Sequence, residues 1–367
     1  MHIPFCVQKC LYCDFPSYPL AHLAASYIEA LARETELYRE LKVGITSVYI
    51  GGGTPTCLTL DELERLLAML HRSFDIVKDA EFTVEANPGT VTAEKLKVLL
   101  RGGVNRLSFG VQALQEELLT KLGRLHGVKD VYTSYTLARE AGFANINLDL
   151  MSGLPEQTPD QWRETLGKAI DLQPEHISAY SLKVEEGTPF AEQERAGTLL
   201  LPDEDTNASM FVSTAHMLTA AGYKHYEISN YAKPGCQSLH NLRYWHNESY
   251  IGIGASAWTY WEGCRRGNKA DVERYIEDMY LGRSVVAEQE RPDTGQAMAE
   301  TMMLGLRLIA GVNRVEFRNR YAVDILDIYQ AQIEKMQKLN LLEVSDQAVR
   351  LTNKGLLLGN EVFAEFV

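Results

Sequence analysis

The strands read along the first half of this chain are apolar on one side and polar on the other, a pattern few folds accept. Phe82, Val84 and Ala86 point one way; Glu81, Thr83, Glu85 and Asn87 point the other. Leu107, Phe109 and Val111 oppose Arg106, Ser108, Gly110 and Gln112, and Ile146, Leu148 and Leu150 oppose Asn145, Asn147 and Asp149. An open sheet with helices on both faces has strands that are apolar on both sides. One-sided strands instead predict a curved sheet, with helices outside and a polar, ligand-holding interior.

Between these strands the apolar spacing is helical. Leu23, Tyr27, Leu31, Tyr38 and Leu41 recur at near-helical intervals. Residues 60–70 predict a helix with Thr59 as N-cap and Glu62 three residues on, the spacing of a capping box. Further helices are expected after Thr92, at 116–122, 128–141 and 159–172. They alternate with strands at 48–50, 81–86, 106–111, 145–151 and 176–182. Repeated strand–helix units give a parallel sheet with right-handed crossovers. Counting residues 1–4, the strands number six, so the expected α/β fold is a partial (β/α)6 barrel. Sites on such barrels gather at the C-terminal strand ends. Gly53, Glu85, Gln112 and Asp149 all fall there.

Past residue 220 the pattern changes. Residues 222–262 are rich in aromatics, Gly and Asn, with no clean period. From Gly295 onward we expect helices at 297–309, 314–321 and 326–339, a strand–turn–strand in 341–352, and a last helix. The expected division is a barrel over 1–221, a connecting region over 222–290, and a smaller, mostly helical, winged-helix-like C-terminal domain over 291–367 that acts as a structural lid. The formal net charge is -13 and no Lys/Arg-rich run occurs, so nucleic-acid binding lacks electrostatic support. No apolar stretch approaches the ~20 residues of a membrane span, and no secretory leader is read. Residues 1–5 look clipped, entering the next loop with almost no preceding strand.

That loop carries Cys6, Cys10 and Cys13, spaced C-x3-C-x2-C. Three thiolates on one tight loop can hold three corners of a 4Fe-4S cube and leave the fourth iron open to a ligand; clusters of this kind are otherwise held by four cysteines. A structural zinc site would need a second ligand pair at matched spacing, and none follows. Cys57, Cys236 and Cys264 are scattered and read as free thiols. Reduced cysteines and an oxygen-sensitive cluster point to a cytoplasmic setting.

Gly51-Gly52-Gly53-Thr54-Pro55-Thr56 ends the second strand. Successive glycines let a ligand approach the backbone, and no Gly-Lys-Ser/Thr follows to make a phosphate loop. An amino acid chelating the open iron needs partners for its ammonium, which the glycine carbonyls and Glu85 supply, and for its carboxylate, which Arg124 can grip. Gln112 and Asp149 can take ribose hydroxyls, and Tyr12 can stack on an adenine. Singly, Glu85, Arg124 and Asp149 also suit an ion pair, a solvated cation and a loop cap. Together they describe S-adenosylmethionine.

The run His2-Ile3-Pro4-Phe5 into the cysteines, the Gly-Gly-Gly-Thr-Pro-Thr run and Gly153-Leu154-Pro155 resemble the radical S-adenosylmethionine (radical SAM) proteins related to oxygen-independent coproporphyrinogen III oxidase. The resemblance implies a radical-SAM barrel, a 4Fe-4S cluster at Cys6, Cys10 and Cys13, and S-adenosylmethionine contacts at Tyr12, Gly52, Gly53, Thr54, Glu85, Gln112, Arg124 and Asp149. It also implies reductive cleavage of the sulfonium to a 5′-deoxyadenosyl radical, hence an electron donor of flavodoxin or ferredoxin type. The oxidase proper carries another cysteine two residues after the third; Phe15 stands there. His240-Asn241-Leu242-Arg243-Tyr244-Trp245 resembles the H-N-x-x-Y-W pattern of the haem-chaperone branch, which passes haem to recipient proteins. Imidazole is a common haem ligand, so His240 can bind the iron while Tyr244 and Trp245 stack on the macrocycle. The same residues also suit ordinary packing under a loop, and His246 and Cys236 are weaker ligand candidates. The expectation is a haem chaperone with no catalytic residue assigned; the alternative is an oxidative decarboxylase of coproporphyrinogen III.

Overall fold

In the computed structural model, which describes residues 1–367, one parallel ladder runs in chain order. It comprises β1 (His2–Ile3), β2 (Gly44–Gly52), β3 (Asp75–Ala86), β4 (Arg106–Gln112), β5 (Asn145–Ser152) and β6 (His176–Ser181). The crossovers carry α1 (Ala24–Glu36), α2 (Leu60–Ser73), α3 (Ala93–Arg101), α4 (Glu116–Lys121), α5 (Val128–Ala141) and α6 (Pro159–Asp171). Thr59 and Glu62 close the expected capping box on α2, and Thr158 with Gln161 closes another on α6. The residues read as outward-facing (Phe82, Val84, Leu107, Phe109, Ile146, Leu148) are buried in the main hydrophobic core beneath the helices. Their neighbours Thr83, Arg106, Ser108 and Asn147 are buried as well, but on the polar inner face.

The sheet continues beyond what periodicity shows. After α7 (Pro189–Arg195) and α8 (Glu204–Ala220), β7 (Lys224–Glu227) and β8 (Asn230–Ala232) add to β6 as an antiparallel hairpin. Strands of four and three residues are too short to display a period. α9 (Leu239–Trp245) then turns back onto β2. A second antiparallel sheet of β9 (Trp258–Trp261), β10 (Cys264–Asn268) and β11 (Val286–Glu290) follows, with α10 (Val272–Tyr280) packed on α1.

The C-terminal unit has its own core, built from α11 (Thr294–Gly305), β12 (Val312–Asn313), α12 (Arg314–Tyr321), α13 (Ile325–Ile328), α14 (Gln330–Lys338), β13 (Leu342–Val344), β14 (Ala348–Leu351), α15 (Asn353–Leu357) and α16 (Gly359–Phe363). Its three-stranded sheet has the order β12-β14-β13. The helix expected over 326–339 is broken in two, because Tyr329 leaves the helical region (φ -114, ψ 26) and buries its ring edge-on to Phe366. The helix expected from 297 starts earlier, where Asp293 and Gln296 form a capping box. No helix is long and apolar enough to cross a membrane.

Candidate cofactor site

The C-terminal ends of β2 to β6 open into a cavity of about 490 Å3. Cys6, Cys10 and Cys13 line it, half-buried and free of disulfides. Their loop is anchored on both sides. Cys6 N–H donates to Tyr18 O at 3.0 Å, Leu11 N–H to Leu122 O at 3.1 Å, and Phe190 N–H to Leu11 O at 3.1 Å. The three cysteines line one cavity. Three free thiols on one loop are the donor set that a 4Fe-4S cube with one open iron takes.

Every residue assigned to S-adenosylmethionine lines this cavity, except Thr54, which lies just behind it. Thr54 Oγ1 sits 3.5 Å from Cys6 Sγ and accepts from Asn87 Nδ2 at 2.7 Å. Glu85 accepts from Gly52 N–H at 3.0 Å and from Tyr49 Oη at 2.7 Å. Asp149 accepts from Ser108 Oγ at 2.9 Å and Asn147 Nδ2 at 2.8 Å. Burial raises the pKa of both carboxyls, against the pull of these hydrogen bonds. Gln112 sits in the left-handed region (φ 67) at an irregularity in the β4–β5 pairing; such bulges re-aim side chains beside functional sites. Tyr12 lines the same wall as the cysteines, and burial pushes its phenol up.

Arg124 follows α4 and reaches inward. Nη2 donates to Asn87 Oδ1 and Gly110 O, each at 2.6 Å, and Nη1 lies 3.5 Å from Cys10 Sγ. Its Nε is buried without a partner. The guanidinium is therefore held in place by the protein, with one donor still to be satisfied.

The glycine triplet has a reason that spacing does not reveal. A Cβ on Gly51 would meet Glu85 at 2.6 Å, one on Gly52 (φ +116) would meet His2 at 2.0 Å, and one on Gly53 would meet Phe5 O at 2.5 Å. The positive φ of Gly52 and the Phe5 backbone pressed against Gly53 call for glycine at those two positions, whatever ligand binds.

The H-N-x-x-Y-W segment is α9, at the opposite end of the barrel. Glu81 caps it, accepting from Leu239 N–H at 2.9 Å and His240 N–H at 3.0 Å. The His240 ring stacks on Tyr49 with centroids 5.0 Å apart. Its Nδ1 lies 3.1 Å from Ser47 Oγ and its Nε2 3.2 Å from Tyr244 Oη. Burial and nearby positive charge push its pKa down to about 3. Trp245 faces the C-terminal unit, with Arg307 over its ring at 4.6 Å.

Residues 1–169 match the family described as the Radical SAM superfamily, and residues 295–358 the HemN C-terminal domain. The chain is 41% identical over 371 residues to Heme chaperone HemW of Bacillus subtilis, covering 100% of this chain and 98% of that protein. It is 36% identical to Heme chaperone HemW of Escherichia coli, covering 100% and 97%. The chain belongs to the HemW family of radical SAM proteins. The structure of coproporphyrinogen III oxidase (HemN) from Escherichia coli superimposes with a TM-score of 0.87 at 24% identity, covering 100% of this chain and 88% of that one, which shows the shared fold.

Membership of the radical SAM superfamily implies a 4Fe-4S cluster and S-adenosylmethionine. Some contributors were not legible beforehand. Asn87 joins Thr54 to Arg124, and its place at the end of the polar face of β3 was the available signal. Tyr49, the link between Glu85 and His240, gave none. Below the cavity a hydrogen-bonded chain runs from Asp149 through Asn147 and His176 to Tyr226, which accepts from Ser238 N–H at the start of α9.

Proposed function

We propose that this protein binds haem and delivers it to recipient proteins, and that it holds a 4Fe-4S cluster at Cys6, Cys10 and Cys13 with S-adenosylmethionine in the 490 Å3 cavity beside them. The observation that carries the reading is the end-to-end likeness to HemW chaperones, 41% identical over the full chain to one of them. Within the cavity, Glu85 and the glycine backbone would hold the ligand's ammonium, Arg124 its carboxylate, Gln112 and Asp149 its ribose, and Tyr12 its adenine. When bound, the cluster supplies one-electron chemistry; the chain's own residues bind, orient and shield. Haem would be carried by the α9 segment through His240, Tyr244 and Trp245. Those side chains are engaged with Ser47, with one another and with Arg307, so iron binding by His240 requires its two hydrogen bonds to open. A cytoplasmic setting, and an electron donor of flavodoxin or ferredoxin type, complete the proposal.

The HemN-like fold favours a second reading, oxidative decarboxylation of coproporphyrinogen III. Phe15 opposes it: at the position where the oxidase carries a thiol, this chain places an exposed phenyl ring on the cavity rim. Iron, sulfide and haem analysis of anaerobically purified protein tests the first reading. Cys6→Ala, Cys10→Ala and Cys13→Ala should each abolish the four-iron cluster, and retention of four irons by any of them counts against the assignment. Sustained formation of protoporphyrinogen from coproporphyrinogen III, S-adenosylmethionine and reductant would replace the chaperone reading with the enzyme.

A further inference from the structure

One side chain touches both the cofactor cavity and α9. Tyr49 lines the cavity, and its Oη donates to Glu85 Oε1 at 2.7 Å. The same ring lies against the His240 imidazole, with centroids 5.0 Å apart and planes 21° from parallel. Ser47 stands two residues before Tyr49 on β2, so both face the barrel interior, and Ser47 Oγ lies 3.1 Å from His240 Nδ1. Glu85 is the carboxylate to which the ligand's ammonium is assigned. Its other oxygen accepts from Gly52 N–H at 3.0 Å, and burial pushes its pKa up. The phenol is buried too, which keeps it neutral and therefore a donor.

We propose that Tyr49 couples the two sites, so that S-adenosylmethionine in the cavity weakens the hold of α9 on haem. The proposal rests on the haem-chaperone reading and states how its carrier loosens its grip on the cargo. His240 has two positions to choose between. In one it is held by Ser47, by Tyr244 and by the face of Tyr49; on iron it gives these contacts up. Whatever firms the first position makes the second less favourable. An ammonium set against Glu85 favours the ionised carboxylate. A hydrogen bond to an ionised acceptor is roughly twice as strong as one to a neutral acceptor. Tyr49 is then fixed where its ring meets the imidazole, and the stack counts in full towards the first position. The worth of such a ring pair bounds the coupling at about threefold to tenfold.

Haem titration of the full-length, cluster-reconstituted protein tests this, run without oxygen or reductant so that S-adenosylmethionine stays intact. Absorption reads the haem affinity with and without saturating S-adenosylmethionine. Wild type should bind haem about threefold to tenfold more weakly when S-adenosylmethionine is present. Linkage requires the reverse: haem should weaken S-adenosylmethionine binding, read by equilibrium dialysis of labelled ligand, by the same factor. Tyr49→Phe keeps the ring on His240 and removes only the donation to Glu85. It should bind both ligands, with a ratio of haem affinities near one. Wild type that binds the two ligands independently, or more tightly together, would overturn the coupling and leave the chaperone reading standing. So would a Tyr49→Phe ratio equal to that of wild type. Absence of haem binding by wild type would remove both.

Discussion

Gly53 shows how one missing methyl group sets a site. Its Cβ position is 2.5 Å from Phe5 O, a backbone atom immediately before Cys6. A backbone atom has no rotamer by which to move aside, so Gly53→Ala must shift the cysteine loop itself. We expect a loss of about 1–3 kcal/mol, the usual range for overpacking, with lower iron retention measured on the same samples. His240 gives a pH test. Its folded pKa is depressed to about 3, while the unfolded chain takes up the proton near ~6.5. The stability it supplies is therefore complete above the unfolded value and is lost as pH falls towards the folded one. Between pH 7 and 5, wild type should lose about 1–2 kcal/mol more than His240→Gln in urea unfolding. Equal losses would show that the imidazole takes up its proton over the same pH range folded as unfolded.

Helix α9 has seven residues, fewer than an isolated helix needs to be stable, so its position depends on what holds its ends. Glu81 supplies most of that hold, with two backbone N–H groups and Ser238 Oγ donating to one buried carboxylate. Glu81→Gln should cost about 1–2 kcal/mol, since a charge facing a helix N-terminus is lost. Hydrogen exchange should rise selectively over residues 239–245, whereas uniform protection would refute this local role. The longer helices show the opposite dependence. α2 and α5 carry enough turns for their apolar stripe and end residues to mark them, and both lie where spacing places them. β7, β8 and the break at Tyr329 escaped notice because their causes are contacts with distant residues, the β6 edge and Phe366.

Across the whole molecule, the C-terminal unit is tied to the barrel by a few specific bonds. Ile228 N–H donates to Arg307 O and Ile309 N–H to Tyr226 O, both at 3.1 Å, and Asn247 Nδ2 donates to Thr301 Oγ1 at 3.0 Å. Glu227 is fully buried there, near the charge of Arg307, and Ile228 packs into the C-terminal core. Truncation after residue 290 should therefore expose an apolar patch and unpair a buried carboxylate. Thermal unfolding should begin at lower temperature and light scattering should reveal association. A truncated chain as stable and monomeric as the full one would make the C-terminal unit an independent appendage.

Alternation of polar and apolar residues, three thiols on one loop and a glycine run were enough to read a half-open barrel and the strand ends at which its cavity opens, because strand parity and loop spacing act over a few residues. The fate of the H-N-x-x-Y-W segment was not readable in that way. What the His240 ring touches is decided by Ser47 and Tyr49 of β2, the first of them 193 positions away along the chain. That both nitrogens of this imidazole are engaged follows from that long-range packing, and local pattern carries no record of it.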